Sequence, residues 1–307
     1  MRKSNSMDDE YRRVEETESY ETKAAYWAAA KGLQAVDGLT TTKYLDQVAE
    51  NHIVGRYTST EAAQLVKNYY EKRAAHGESL EGREADLVSA RIVELLESRA
   101  FSYRPTMLSF IHGRLFKGLI DHPYDAKWRD YNFTKSEPIL AGETVVYADF
   151  GIISDNLTYD FQEFDHSGFT LSAEDKSQRF ESFITFISNI WQTHPFVEGN
   201  TRTVAVFAEL FLRAKGARID NDVFAQHSLY FRNALVRANY SSLALGIPED
   251  KTYLKLFFEN VLFGAHHELK NRTLYCDALF VAKGLEVPSD AFQAREKKTS
   301  IPEETSL

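Results

Sequence analysis

A chain of 307 residues, 43% hydrophobic and 26% charged, is long enough to bury one large core or two unequal ones. A formal net charge of −9 argues against binding nucleic acid or an anionic membrane through bulk charge. The single cysteine, Cys276, excludes an intrachain disulfide and disfavours a thiolate zinc site, and no apolar run nears the ~18 residues that a membrane span needs. The first ten residues lack the apolar stretch of a signal peptide, so the expected setting is cytoplasmic.

In chain order, residues 1–20 are polar and charged and read as a tail, as do 286–307. Residues 21–78 read as a helical module. Residues 24–30 are strong helix formers, apolar residues continue through Leu33 and Val36, and Asp37-Gly38 closes the helix with a glycine suited to a left-handed cap. A second helix is expected over 41–51. Thr58-Ser59-Thr60-Glu61 is a helix-start signal, continued over 62–73. His76-Gly77-Glu78-Ser79 and Glu81-Gly82 make a linker. The helix beginning near Glu84 sets Leu87, Val88, Ile92, Leu95 and Leu96 at helical spacing. Another covers 106–122, with Leu108, Ile111, Leu115, Phe116, Leu119 and Ile120 on its apolar side. Residues 138–142 and 143–147 read as two short strands around a turn at Ala141-Gly142. Helices resume from Ser172. Phe183, Ile184, Phe186, Ile187, Ile190 and Trp191 are apolar around most of their helix, which predicts a central, buried position. Later helices fit 224–238 and 253–263. Without repeats or βαβ alternation, the fold class is mainly α.

That central helix delivers the chain to His194-Pro195-Phe196-Val197-Glu198-Gly199-Asn200-Thr201-Arg202-Thr203. A long amphipathic helix follows, so the cluster sits where unpaired N–H groups and the helix dipole favour an anion. An imidazole suits removal of a hydroxyl proton. Glu198 offers the hard oxygen that Mg²⁺ prefers. Gly199 lets successive N–H groups point inward. Asn200 can bond phosphate oxygens and Arg202 can pair with them in bidentate fashion. Together these are the parts for in-line phosphoryl or nucleotidyl transfer. The chain carries no GxxxxGK[ST] and no GxGxxG, so a nucleotide site belongs to 194–203. His112, among apolar neighbours on a helix, reads as a packed core histidine. His266 and His267 are adjacent, point about 100° apart on a helix and make a poor metal pair. The 16 tyrosines and 21 phenylalanines read as core, since no basic stripe accompanies them.

The segment resembles the signature of the Fic/Doc family, His-x-Phe-x-Asp/Glu-Gly-Asn-Gly-Arg-x-x-Arg. It matches at His194, Phe196, Glu198, Gly199, Asn200 and Arg202, and departs at Thr201, where glycine is commoner, and at Ala205, where the second arginine would stand. The similarity extends over about 86–285, through 111–116, 128–132 and 230–235. It implies a Fic-type helical core with a short β-hairpin flap and an N-terminal helical module. The implied activity is transfer of AMP from ATP, with Mg²⁺, to a Tyr, Ser or Thr hydroxyl of a target protein. His194 would be the base, Glu198 the metal ligand, and Gly199, Asn200, Thr201 and Arg202 the phosphate cradle. Adenine contacts are expected near Tyr230 and Asn233, and target docking along Thr144, Val145 and Val146. The segment 32–39 resembles an antitoxin-like inhibitory helix in part, with Asp37-Gly38 where Glu-Gly would stand. Asp37 is the candidate inhibitory residue, with Arg202 as an alternative partner, and Asp37-Gly38 reads equally as a plain helix end. Because of Thr201 and Ala205 two other readings stay open. One is a Fic-fold transferase with another nucleotide, a phosphoryl or phosphocholine donor, or AMP removal. The other is a non-catalytic nucleotide sensor. Expected partners are a nucleotide and a target protein, without nucleic acid or membrane, and a homo-oligomer stays open.

Overall fold

The computed structural model describes residues 18–119, 127–164, 166, 169 and 176–288. Eleven α-helices and several short 3-10 turns carry them, and the one β pairing among the described residues is an isolated bridge between Ser242 and Ile247. The fold is mainly α, and no described helix is long and apolar enough to cross a membrane. Most of the two terminal segments read as tails lies outside the described residues.

Helix α1 (Tyr20–Gly32) begins where the Ser19 hydroxyl accepts a hydrogen bond from the Thr22 N–H. The sequence predicts one helix through Val36, but the α-helix ends at Gly32 and tightens into a 3-10 segment, Leu33–Asp37. The cause is contact with a later helix, α9 (Asn221–Ala238). The Ser228 hydroxyl donates to the Gly32 carbonyl at 2.6 Å, and a Cβ on Gly32 would stand 2.3 Å from the Ala225 oxygen. Gly38 then closes the segment in the left-handed conformation, as the Asp37-Gly38 pair predicts.

Helix α2 (Lys43–Ile53) starts two residues late because Thr42 is the cap: its hydroxyl accepts from the Leu45 N–H and donates to Asp86 at 2.5 Å. Helix α3 (Ser59–Ala75) has the capping box expected of Thr58 and Glu61. Helix α4 (Arg83–Ser98) packs against α1 and α3. A buried relay ties these elements: Trp27 Nε1 donates to His52 Nδ1 at 2.9 Å, and His52 Nε2 lies 3.1 Å from Glu97. Helix α5 (Thr106–Phe116) is shorter than predicted, since Lys117 leaves the helical region and Gly118 turns left-handed; Ile120 lies outside the described residues.

The two strands expected over 138–147 are absent. Pro138–Leu140 is a 3-10 turn, and the chain reverses at Ala141 and Gly142, both at positive φ. Reversal there agrees with the sequence, but Pro138 has no N–H for a ladder and the turn folds Gly142 N–H back onto the Glu137 carbonyl. Residues 143–149 continue without helix or strand. Helix α6 (Ile153–Glu163), not anticipated from sequence, starts after an Asp149 side chain that accepts from the Gly151 N–H. Helices α7 (Lys176–Thr193) and α8 (Asn200–Ala214) form the middle of the molecule. Their rings interlock: Phe183 and Phe186 of α7, Phe207 and Phe211 of α8, and Phe161 and Phe164 at the end of α6 are all within aromatic contact. Helix α9, broken at His227, α10 (Thr252–Phe263) and α11 (Asp277–Ala282) complete the described fold. Its result for function is geometric: α8, which follows the loop leaving α7, packs against α4, α5 and the 3-10 segment that follows α1.

Candidate active site

The loop between α7 and α8 is built by local chemistry. A proline at 195 disfavours helical backbone at 194, and His194 takes φ 47, a left-handed conformation that histidine tolerates better than most residues. Phe196 is buried and lies flat on His112, ring centroids 3.8 Å apart. The Asn200 side chain folds back over the loop, accepting from the Phe196 N–H at 3.0 Å and donating to the Phe196 carbonyl at 2.7 Å. His112 Nε2, 3.1 Å from the Glu198 carbonyl, is the protonated nitrogen and pins the next residue. Asn200, expected to bond phosphate, therefore spends its amide on shaping the loop, and the packed histidine at 112 also anchors it.

Gly199 caps α8 at φ 74, and a Cβ there would lie 2.4 Å from the Phe116 ring. Strain and overlap act together, so Gly199→Ala is expected to destabilise the protein by about 2–4 kcal/mol. Urea unfolding measures this directly, and a loss below ~1 kcal/mol would contradict the packing described.

The loop opens onto a cleft of about 330 Å³ whose lining includes His194, Glu198, Arg202, Lys135, Glu137 and Arg232. The imidazole, carboxylate and guanidinium predicted from the sequence thus share one concavity. His194 Nδ1 faces the Trp191 carbonyl at 3.3 Å, which places the proton on Nδ1 and leaves Nε2 as the basic nitrogen. Tyr147 stacks on the imidazole with centroids 4.0 Å apart. Burial pushes the His194 pKa down to about 3, with the nearby Lys135 adding to the shift. Glu198 is exposed at the cleft, whereas Thr201 is buried and its hydroxyl accepts from Trp191 Nε1 at 3.0 Å. Ala205 is buried in the core, so its position contributes only a methyl group.

Arg202 is 2% exposed and its three nitrogens point at three residues of the N-terminal region. Nε lies 2.8 Å from Asp37, one Nη donates to Glu84 at 2.7 Å, and the other donates to Gln34 at 3.1 Å. The guanidinium also lies over the Phe116 ring at 4.7 Å. Asp37 and Arg202 are therefore brought together, and Glu84 and Gln34, which sequence reasoning missed, complete the contact. Nothing local marks them: both lie more than a hundred residues from Arg202.

Tyr230 and Asn233 do not line the cleft. Tyr230 is buried, which raises its pKa, and Asn233 is bonded to Arg232 and Asn271. Arg232, between them, is the α9 residue that reaches the cleft, paired at 2.6 Å with the fully buried Glu137. Along the extended segment, Thr144 accepts from the Lys135 N–H, Val145 is buried and Val146 is 76% exposed.

The two site histidines make stability depend on pH. Burial lowers His112 to about 4 and His194 to about 3, from an ordinary 6.5. Between those values and 6.5 the unfolded chain binds the more protons, so this stabilisation is complete above pH 6.5 and is lost as pH falls toward 4, by up to ~1.4 kcal/mol per histidine per pH unit. Asp160, raised by burial to about 6, and Asp86, also raised, act in the opposite sense. The discriminating measurement is therefore the difference between wild type and His112→Asn. Unfolding midpoints from pH 7 to 4.5 should fall less steeply in the variant, and parallel curves would contradict the assignment.

Neither a curated protein nor a solved structure matches the chain. Residues 103–212, from the approach to α5 to the last turns of α8, match the family described as Fic/DOC. That span contains the whole of the loop, its imidazole and its guanidinium, so the similarity to the Fic/DOC family falls on the candidate site itself.

Proposed function

We propose that the protein is an adenylyltransferase that moves AMP from Mg-ATP to a hydroxyl of a target protein and is held off by its own N-terminal region. The observation that carries this reading is the shared cleft: a neutral imidazole with Nε2 basic, an exposed Glu198 and a buried Arg202 at the start of α8. In the reaction, the target hydroxyl oxygen bonds to the α-phosphorus, the bond from that phosphorus to the bridging oxygen breaks, and pyrophosphate leaves. The hydroxyl proton passes to His194 Nε2. Arg202 and the N–H groups opening α8 pair with the phosphate oxygens.

Mg²⁺ fits the donor set. Among the described residues no group of three or more His, Cys, Asp or Glu is arranged for a metal, and Mg²⁺ is commonly held by one or two carboxylates with substrate phosphates completing its shell. Glu198 would supply that carboxylate, and the ion would neutralise charge on the triphosphate. Arg202 cannot pair with phosphate while Asp37, Glu84 and Gln34 occupy it, which supports inhibition.

The buried methyl of Ala205 favours a second reading, transfer of another group from the same site, because position 205, one turn beyond Arg202, offers no guanidinium to orient a triphosphate. ATP labelled at the α- or the γ-phosphate separates the two. Label retained on protein from the α-position alone supports AMP transfer; retention from the γ-position alone overturns it in favour of phosphoryl transfer. Retention from neither, in wild type and in an Asp37→Asn/Glu84→Gln variant, overturns both.

A further inference from the structure

Arg129 has no part in the transfer chemistry above, yet its guanidinium is spent on the backbone around the base. The residue is 3% exposed. Nε donates to the His194 carbonyl at 2.8 Å. One Nη donates to the Tyr131 carbonyl at 2.8 Å and to the Asn132 side chain at 3.2 Å. The other donates to the Thr193 carbonyl at 3.4 Å and to the Ala148 carbonyl. The backbone N–H of Arg129 donates to the Pro195 carbonyl at 2.8 Å. One residue thus grips three successive carbonyls at the end of α7 and, with the same planar group, the end of the extended segment 143–149.

Two physical points give this meaning. A non-glycine residue at φ 47 persists only where its surroundings over-determine it, and Arg129 supplies that constraint at His194. The guanidinium is a rigid fork, so the carbonyls it bridges are held at fixed separations, which a lysine ammonium on a flexible stem does not do.

We propose that Arg129 is a positioning residue: it holds the His194 imidazole and the extended segment beside it in one fixed relation, so that a hydroxyl presented along that segment meets Nε2. The inference rests on the adenylyl-transfer reading. The phosphate side of the loop is held separately, by Asn200 on Phe196 and His112 on Glu198, so loosening Arg129 affects turnover and spares nucleotide binding.

The test compares full-length wild type with Arg129→Lys by three measurements: ATP affinity by calorimetry, kcat for transfer from α-labelled ATP, and the ¹⁵N signals of the His194 ring. In Arg129→Lys we expect ATP affinity within about twofold of wild type and kcat lower by about tenfold or more. The ring should leave its single Nδ1-protonated form and titrate nearer the ordinary 6.5. Unchanged kcat overturns the proposal, as does loss of affinity in step with kcat. Asn132→Ala removes one acceptor of the same guanidinium, should give the same signs at lower amplitude, and decides the matter if Arg129→Lys does not fold. Absence of AMP transfer by wild type counts against the adenylyl reading alone; the His194 signals still decide on positioning, and signals identical in variant and wild type sink it.

Discussion

Replacing His194 is expected to lower AMP transfer by about 10²–10⁴-fold, the range typical of losing a positioned general base. The Trp191 carbonyl holds the proton on Nδ1, so Nε2 is the one nitrogen able to accept the hydroxyl proton. Burial lowers the ring's pKa and keeps it neutral, and so able to accept a proton, at physiological pH. The choice of substitution matters because the residue sits at φ 47 and stacks on Tyr147. Alanine would carry backbone strain and open space beside Tyr147, confusing lost chemistry with lost structure. Asparagine tolerates the left-handed region and cannot act as a base. His194→Asn should therefore abolish labelling from α-labelled ATP while retaining most of the wild-type melting temperature. Substantial residual transfer, within about fivefold of wild type, would remove His194 from the mechanism.

The other large effect is expected at the three-sided contact on Arg202. Asp37 and Glu84 are 33% and 38% exposed at their side chains, so water screens both pairs and each contributes about 1 kcal/mol. Together they favour the occupied form by about 2 kcal/mol, roughly thirtyfold. Asp37→Asn or Glu84→Gln alone should raise the initial transfer rate about fivefold, and the double variant up to thirtyfold, at ATP concentrations well below saturation. Gln34 is neutral and its side-chain oxygen still accepts from Arg202, so release stays incomplete. Initial rates on one target, with melting curves as a control, measure this. A double variant that folds and transfers at the wild-type rate would make the contact a structural clasp without regulatory effect.

Much of this site was legible because its parts are contiguous. Residues 194–203 carry the imidazole, carboxylate, glycine and guanidinium in one stretch, and the helices on either side announce themselves by apolar spacing. The Thr58–Glu61 capping box and the Gly38 cap were legible for the same reason: their chemistry is local. What stayed hidden depends on contacts across the fold. The α-helix stops at Gly32 because Ser228 takes its carbonyl and α9 leaves no room for a side chain, and nothing near residue 32 records this. Asn200 has the right chemistry for phosphate, yet whether its amide turns outward or back onto Phe196 is settled only by loop geometry. Helix α9 is buried on several faces, so its pattern does not tell which face meets the cleft; the resemblance points to Tyr230 and Asn233, whereas Arg232 is the residue that lines it. The strand pattern over 138–147 failed because alternation is read from side chains, whereas Pro138 removes a ladder donor.

The seam between Gly32 and Ala225 has a mechanical consequence. With backbone against backbone there, and Trp27, His52 and Glu97 linked inside the N-terminal helices, α1 is welded at both faces and cannot swing as a lever. Freeing the guanidinium then falls to the half-dozen residues after Gly32 and to the Glu84 side chain, a latch of short throw. Activation would leave the outline of the molecule almost unchanged, and a probe of overall dimensions would register nothing while amide exchange at residues 33–39 accelerated.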